Sequence, residues 1–388
     1  MEVDVISLFE PDGGDREIDL VCAVLQSTRW SDGPMVESFE RAFAGWVGRR
    51  HAVAVSSGTL GTWIALRAFG IGPGDEVICT SHAWHQVAQA ITLTGATPVF
   101  SDINYWTGSL NADKAALKIT PRTRAILAGN TNGHPAAWGP LRALAAAHNL
   151  KLIEDSSEAL GSRYQGQCVG NFGDVSVFDF SQPSALCTGE GGMLVTDDDE
   201  LVHELRYLRQ RRLEDRASVS VGSRVPLQAG MSEITAALGL AQLAGLDDRL
   251  AARRQVVAWY HEHMQSFEGV KPPYIGDDVE EVHWMLYVVH LGKRFSGSAR
   301  AQMIDDLRSC GIETVAYSHP LHQQYFYMNA AATIGHQLGG LLPDTDRISS
   351  RALALPLHTQ LDATQVKYIV NTLKDTATNV GAGAAIYL

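Results

Sequence analysis

The stretch VSSGTLGTWIALRAFGIGPGDEVI, residues 55–78, decides how the rest of the chain is read. A β-branched run passes through Ser57-Gly58-Thr59 into an Ala/Leu helical pattern, so backbone N–H groups at a helix N-terminus are placed to hold an anion. Around it the same alternation repeats from residue 15 to about 200. Strand runs are read at AVAVSS (52–57), EVICTS (76–81), TPVFSD (97–102), RAILAG (124–129), LKLIED (150–155), VSVFDF (175–180) and GGMLVT (191–196). Helices are read at 58–70, 111–120 and 139–149, the first and third ending in a Gly or Asn suited to a left-handed C-terminal position. Strands interleaved with helices at this spacing predict βαβ crossovers, an α/β class and a mostly parallel sheet buried on both faces.

Beyond residue 230, MSEITAALGLAQLAGLDDRLAARRQVVAWYHEHM (231–264) is apolar at helical spacing and predicts one long helix or two consecutive ones. The domain boundary is placed there: residues 1–250 form a large domain with an N-terminal arm at 1–14, and 251–388 a smaller C-terminal α/β domain. In the second domain VHWMLYVVHL (282–291) reads as a strand, SARAQMIDDLRSCG (298–311) as a helix ending at Gly311, and ATQVKYIVNTLKDTA (363–377) as a final helix. The tail NVGAGAAIYL (379–388) reads as loosely held.

Composition narrows the function classes. The 388 residues are 45% hydrophobic and 19% charged, with 31 Lys+Arg against 43 Asp+Glu and a formal net charge of −12, so no basic field exists to hold nucleic acid or an anionic membrane. No run reaches the ~18 apolar residues of a membrane span, and the acidic start MEVDVISLFEPDGGDREID does not resemble a targeting peptide, which predicts a cytoplasmic protein. Five cysteines (Cys22, Cys79, Cys168, Cys187, Cys310) lie far apart without CxxC spacing, which predicts neither disulfides nor a metal site.

Two further segments join the first: LIEDSSEALGSRYQGQCVGNFGDVSVFDF (152–180), a strand ending in Asp155 before a Gly-punctuated loop, and FSQPSALCTGEGGMLVTDD (180–198). In order and spacing the three resemble the sugar aminotransferase family called DegT/DnrJ/EryC1/StrS, and the likeness extends along the chain through MSEITAALGLAQL (231–243), YSHPLHQQY (317–325) and LALPLH (353–358). The resemblance implies a type I pyridoxal-phosphate (PLP) fold, with a seven-stranded sheet in the large domain, and a homodimer. It also implies that Gly58 and Thr59 hold the cofactor phosphate, Trp84 stacks on its ring and Asp155 pairs with the pyridine nitrogen. Read without the resemblance, Trp84 is a core aromatic and Asp155 a turn carboxylate.

The pattern breaks around the same pocket. The family's Schiff-base lysine, five residues before the first glycine of GEGG, is Ser184, and none of Lys114, Lys118, Lys151, Lys271, Lys293, Lys367 and Lys374 lies on that loop. A phosphate-binding serine position is Asp179, where an acid beside a phosphate costs about 4 kcal/mol per unit charge pair at ~4 Å and an effective dielectric near 20. An asparagine contributed to the phosphate by the neighbouring subunit aligns with Gln228, an arginine with Gly230, and a glutamine with Glu158. A one-residue slip would instead turn Asp179 and Glu158 to solvent.

These departures predict an enzyme that has lost internal-aldimine chemistry, is not a functional PLP aminotransferase and needs no cofactor. It would work by acid/base catalysis (isomerisation, dehydration, cyclisation or condensation) in sugar, aminocyclitol or other natural-product biosynthesis, on a polyol or amine-bearing small molecule. Asp155, Glu158, Asp179, Ser184 and His85 are its candidate catalytic groups. Gly58, Thr59, Trp84, Asp155 and Gln228 form the cofactor or repurposed substrate pocket; His322, Asn130 and Glu190 are candidate substrate contacts. Two alternatives stand beside this reading: an enzyme resembling the family's sugar dehydratases, using freely bound pyridoxamine phosphate (PMP) or PLP, and a catalytically silent subunit paired with an active paralogue.

Overall fold

The structure is a computed structural model that describes residues 5–209, 225–265, 267, 269–293, 295, 297–334 and 340–386. After helices α1 (Asp15–Leu25) and α2 (Pro34–Val47), strands and helices alternate: β1 (His51–Val55), α3 (Gly58–Ala68), β2 (Glu76–Thr80), α4 (His85–Leu93), β3 (Thr97–Ser101), α5 (Ala112–Ala116), β4 (Thr123–Gly129), α6 (Trp138–Ala147) and β5 (Lys151–Asp155). The hairpin β6 (Arg163–Tyr164) and β7 (Gln167–Cys168) precedes β8 (Val175–Asp179), β9 (Gly192–Thr196) and α7 (Asp199–Arg209).

All seven expected runs form one sheet in the order β1-β9-β8-β5-β4-β2-β3, with β9 antiparallel to both neighbours and the pairs from β8 to β3 parallel. Burial on both faces explains their unbroken apolar character: Val77 and Cys79 enter the core beneath α3 and α4, while Ile78 faces the core around Trp138. The helix stops are also as read, Gly70 at φ 76° after α3 and Asn149 at φ 52° after α6.

The rest comprises α8 (Glu233–Ala244), α9 (Leu246–Met264), short strands β10 (Val270–Lys271) and β11 (Val279–Glu281), β12 (Tyr287–Leu291), α10 (Gly297–Ser309), β13 (Val315–Ala316), α11 (Tyr325–Ile334), α12 (Pro343–Ser349), β14 (Ala352–Leu355) and α13 (Ala363–Ile386). A second sheet has the order β10-β12-β14-β13. The segment 231–264 is two helices meeting at Gly245. The proposed boundary at 250 falls inside α9, whose Leu246 and Leu250 join the core under α2 while Val256, Tyr260 and Met264 join that of the second sheet.

Three expectations are corrected. The run 282–291 is a strand only from Tyr287, because Asn132, at the end of β4, accepts from Leu286 N at 3.0 Å and donates to Leu286 O at 3.1 Å, holding the segment as a loop. The helix expected at 111–120 is one short turn capped by Asn111. The tail continues α13 to Ile386; residues 387–388 lie outside the described ones. The N-terminal arm is stitched down by Ile6 bridging to Ile312 and by Leu8 N donating to Glu313. Among the described residues no helix is long and apolar enough to cross a membrane.

One buried acid sets the sheet centre. Glu154, on the face opposite Asp155, accepts from Asn130 Nδ2 (3.0 Å), Ser156 Oγ (2.8 Å), Ser176 Oγ (2.8 Å) and the N–H groups of Gly170 (2.6 Å), Phe172 (2.8 Å) and Gly173 (3.2 Å). Glu154→Ala leaves these donors facing no acceptor and should cost at least about 3 kcal/mol in urea unfolding. A loss below about 1 kcal/mol would show that the network does not hold the strand ends.

Candidate active site

Strands β1, β2, β4, β5 and β8 share one direction, so their C-terminal ends open on one edge of the sheet, where ligands of open α/β sheets bind. That edge collects Ser57-Gly58 after β1, Trp84 before α4, Asn130–Asn132 after β4, Asp155 at the end of β5 and Asp179 at the end of β8. Asp155 pairs in register with Val177, so Asp179, two residues on, shares its face of the sheet. Two carboxylates therefore stand side by side, each about 8% exposed.

Hydrogen bonds orient both. Ser157 donates to Asp155 Oδ1 from its N–H (3.0 Å) and Oγ (2.5 Å), and its Oγ accepts from Asp179 N (3.0 Å) and Gln86 Nε2 (3.4 Å). Asp179 Oδ2 accepts from Gly58 N at 2.6 Å, at the start of α3; its Oδ1 accepts from Ser181 N at 2.8 Å and from Ser181 Oγ. Burial and the Asp179 charge push the Asp155 carboxyl up, against the Ser157 hydrogen bonds. Beyond them Glu158 Oε2 accepts from Tyr317 Oη and Asn132 N, each at 2.5 Å. Burial lifts Glu158 to about 7, although both of those bonds favour its charge. The same burial and the Glu158 charge push Tyr317 well above its ordinary value.

Asp179 and Glu158, with Ser181, Trp84 and Gln86, line one small cavity closed by Gln182, Pro183 and Met285, so neither acid is turned away by a register slip. Trp84 also packs against the Met285, Leu286 and Tyr317 cluster. Ser184 is buried beside this cavity, its Oγ accepting from Leu186 N at 3.4 Å. No lysine lines the cavity: Lys114 pairs with Asp102 and Asp344, Lys151 lies over Phe69, Lys271 over Trp106, and Lys374 binds His263 O.

Other expected site residues stand elsewhere. Asn130 has its amide engaged by Glu154, Ser156, Ala136 N and Trp138 Nε1 and does not line the cavity. His322 is anchored to Ser81 Oγ (2.7 Å) and Asp346 (3.2 Å). His85, Glu190 and Gln228 are exposed and outside the cavity lining. Ser157, Ser181, Gln86 and Tyr317 were missed. The two serines follow their acids by two residues, the spacing of a side-chain turn, which is the signal that could have found them.

The chain belongs to the DegT/DnrJ/EryC1/StrS aminotransferase family, whose pattern matches residues 11–374. It is 39% identical to GDP-perosamine synthase of Caulobacter vibrioides over 322 residues, 82% of this chain and 85% of that protein. DesI, solved in the presence of its TDP-sugar product, superposes with a TM-score of 0.89 at 30% identity over 99% of this chain and 96% of its own. Spr1654 of Streptococcus pneumoniae, solved in PMP and PLP forms, gives TM-scores of 0.89 and 0.88 at 26% and 27% identity, covering 97% of this chain and 98% and 99% of its own.

These relatives overturn the expectation of a PLP-independent acid/base enzyme with no cofactor and no aminotransferase function: the similar proteins are sugar aminotransferases, and the coenzyme is present in solved structures of this fold. The physical error lay in equating the tether with the electron sink. Ser184 cannot form an imine, but a carboxylate, Asp155, still stands at the end of β5. The residues fit the ring end of such a coenzyme: Asp155 is oriented by Ser157, and Ser157, Trp84 and Met285 line one cavity. At the phosphate end, the Gly58 donor that begins α3 is engaged by Asp179.

The raised Glu158 pKa predicts a stability signature. The protonated form is favoured in the fold, so its contribution is full below about 4.5 and is lost as pH rises through about 7. Relative to Glu158→Gln, the wild type should lose about 3 kcal/mol in urea unfolding between about pH 4.5 and pH 8. A difference that does not change with pH would contradict the assignment.

Proposed function

We propose that the chain performs a sugar aminotransferase-type reaction, exchanging an amino group and a carbonyl on a nucleotide-linked sugar, with a B6 coenzyme held without a covalent tether. The observation that supports this best is the Asp155–Ser157 hydrogen bond at the end of β5, with Ser157 and Trp84 lining a cavity that none of the described lysines lines. Similarity to GDP-perosamine synthase and to DesI with its TDP-sugar product supports a nucleotide-linked sugar as substrate. A homodimer in the cytoplasm accords with the reading: Gln228, aligned with a residue that reaches the neighbouring subunit, is exposed.

When bound, PLP or PMP supplies an electron sink that stabilises negative charge at the carbon bearing nitrogen. Asp155 does the chain's part at the ring nitrogen, where its raised pKa favours a proton shared with that nitrogen. Ser157 fixes the carboxylate plane through Oδ1. With no amine at residue 184, the proton has to be carried by another group, and Glu158, near 7, both holds and releases one at neutral pH. Tyr317 Oη and Asn132 N hold Glu158 Oε2 at the cavity wall, and Tyr317 keeps its own proton.

With PLP, an amino acid donor and a nucleotide-linked keto sugar, the purified chain should yield the amino sugar, detected by mass spectrometry. Glu158→Gln should lower turnover by roughly 10²–10⁴-fold, and Tyr317→Phe should shift the pH profile of the rate to higher pH, because the hydrogen bond it removes favours the charged form of Glu158. No amino sugar from either GDP- or TDP-linked keto sugars would refute the reaction; full turnover by Glu158→Gln would remove Glu158 as the proton carrier.

A further inference from the structure

We propose that Asp179 is a built-in anion: its carboxylate occupies the position at the start of α3 that a ligand's phosphate would take, and a phosphate-bearing ligand reaches that position only by displacing it. The proposal rests on the preceding reading only in naming a B6 compound as the ligand.

The geometry is that of a bound anion. Oδ2 receives the Gly58 N–H at 2.6 Å, while Oδ1 receives Ser181 N at 2.8 Å and Ser181 Oγ, so donors from two loops converge on one carboxylate. A charge-assisted bond of that length at a helix N-terminus is favoured by both the orphan N–H and the helix dipole. Contact is close enough that a Cβ on Gly58 would lie 2.6 Å from Oδ2 and 2.7 Å from the Asp179 Cβ, so glycine is what lets the strand end reach the helix. Thr59, the next residue of α3, has no side-chain hydrogen bond to the described residues. The α3 start therefore keeps a hydroxyl for a ligand while its first N–H is engaged.

Two consequences follow for a phosphate. It has to displace a carboxylate that already accepts from three donors, and it meets a second negative charge in a buried setting where Asp155 is also close. A ligand with the same ring and no phosphate escapes both penalties. Asp179 therefore discriminates by charge at one end of the pocket and leaves the ring end untouched.

The test titrates the full chain, as wild type, Asp179→Asn and Asp179→Ser, with PMP and with pyridoxamine, which lacks the phosphate, following ligand fluorescence. Melting is followed in parallel with and without inorganic phosphate. The expected result is PMP affinity raised at least about tenfold in both variants, pyridoxamine affinity altered less than about threefold, and melting raised by phosphate in Asp179→Ser but not in the wild type. PMP affinity unchanged or weakened in both variants, together with no phosphate-dependent rise in melting, overturns the proposal. If no protein binds either B6 compound while phosphate still stabilises Asp179→Ser, the coenzyme reading fails and the role of Asp179 stands. Should Asp179→Ser not fold, the near-isosteric Asp179→Asn carries the same comparison.

Discussion

Two negative charges end neighbouring parallel strands on the same face of one sheet, and the cleft is organised around keeping them there. Asp155 is held by Ser157, Asp179 by Gly58 and Ser181, and Ser157 joins the two by accepting from Asp179 N while donating to Asp155. Like charges this close and this buried are tolerable only when every exposed lone pair meets a donor or a shared proton. The strand ends, the start of α3 and the loop after β8 are thus fixed relative to each other by electrostatics as much as by packing. Glu154 does the corresponding work on the opposite face, gathering donors from β4, β5, β8 and the loop before β8.

The large sheet was legible because a strand buried on both faces must be apolar throughout, and that signal needs no tertiary context. Where local pattern and tertiary contact disagreed, contact prevailed. VHWMLYVVHL is apolar enough for a strand, yet Leu286 is bound by Asn132, a contact of sequence separation too large to read locally. The second sheet, built from strands of two to five residues, left correspondingly weak traces.

Site residues divide by the same logic. Asp155, Glu158 and Asp179 were read together because the family resemblance aligned all three with positions around one coenzyme; in the structure, register puts Asp155 and Asp179 on one face of the sheet, and Glu158 lines a cavity with Asp179. Asn130, His322 and Glu190 were candidate substrate contacts with no register to tie them to the acids. The fold spends the first on Trp138 and Glu154 and the second on Ser81 and Asp346, and leaves the third at the surface. Tyr317 was invisible as a partner of Glu158 because it arrives from the far end of the chain. The expectation of a coenzyme-free enzyme failed for a different reason: the serine at 184 removes the covalent tether and the amine that would carry a proton, but says nothing about Asp155, which stands at the end of β5.

A crystal structure of the full chain grown with PMP tests the untethered-coenzyme account most directly. The account predicts the ring in the cleft with its nitrogen within hydrogen-bond distance of the Asp155 carboxylate, Trp84 over its face and no bond from the coenzyme to any side chain. A ring bound elsewhere, a ring nitrogen turned away from Asp155, or continuous density from the coenzyme into a lysine would contradict it.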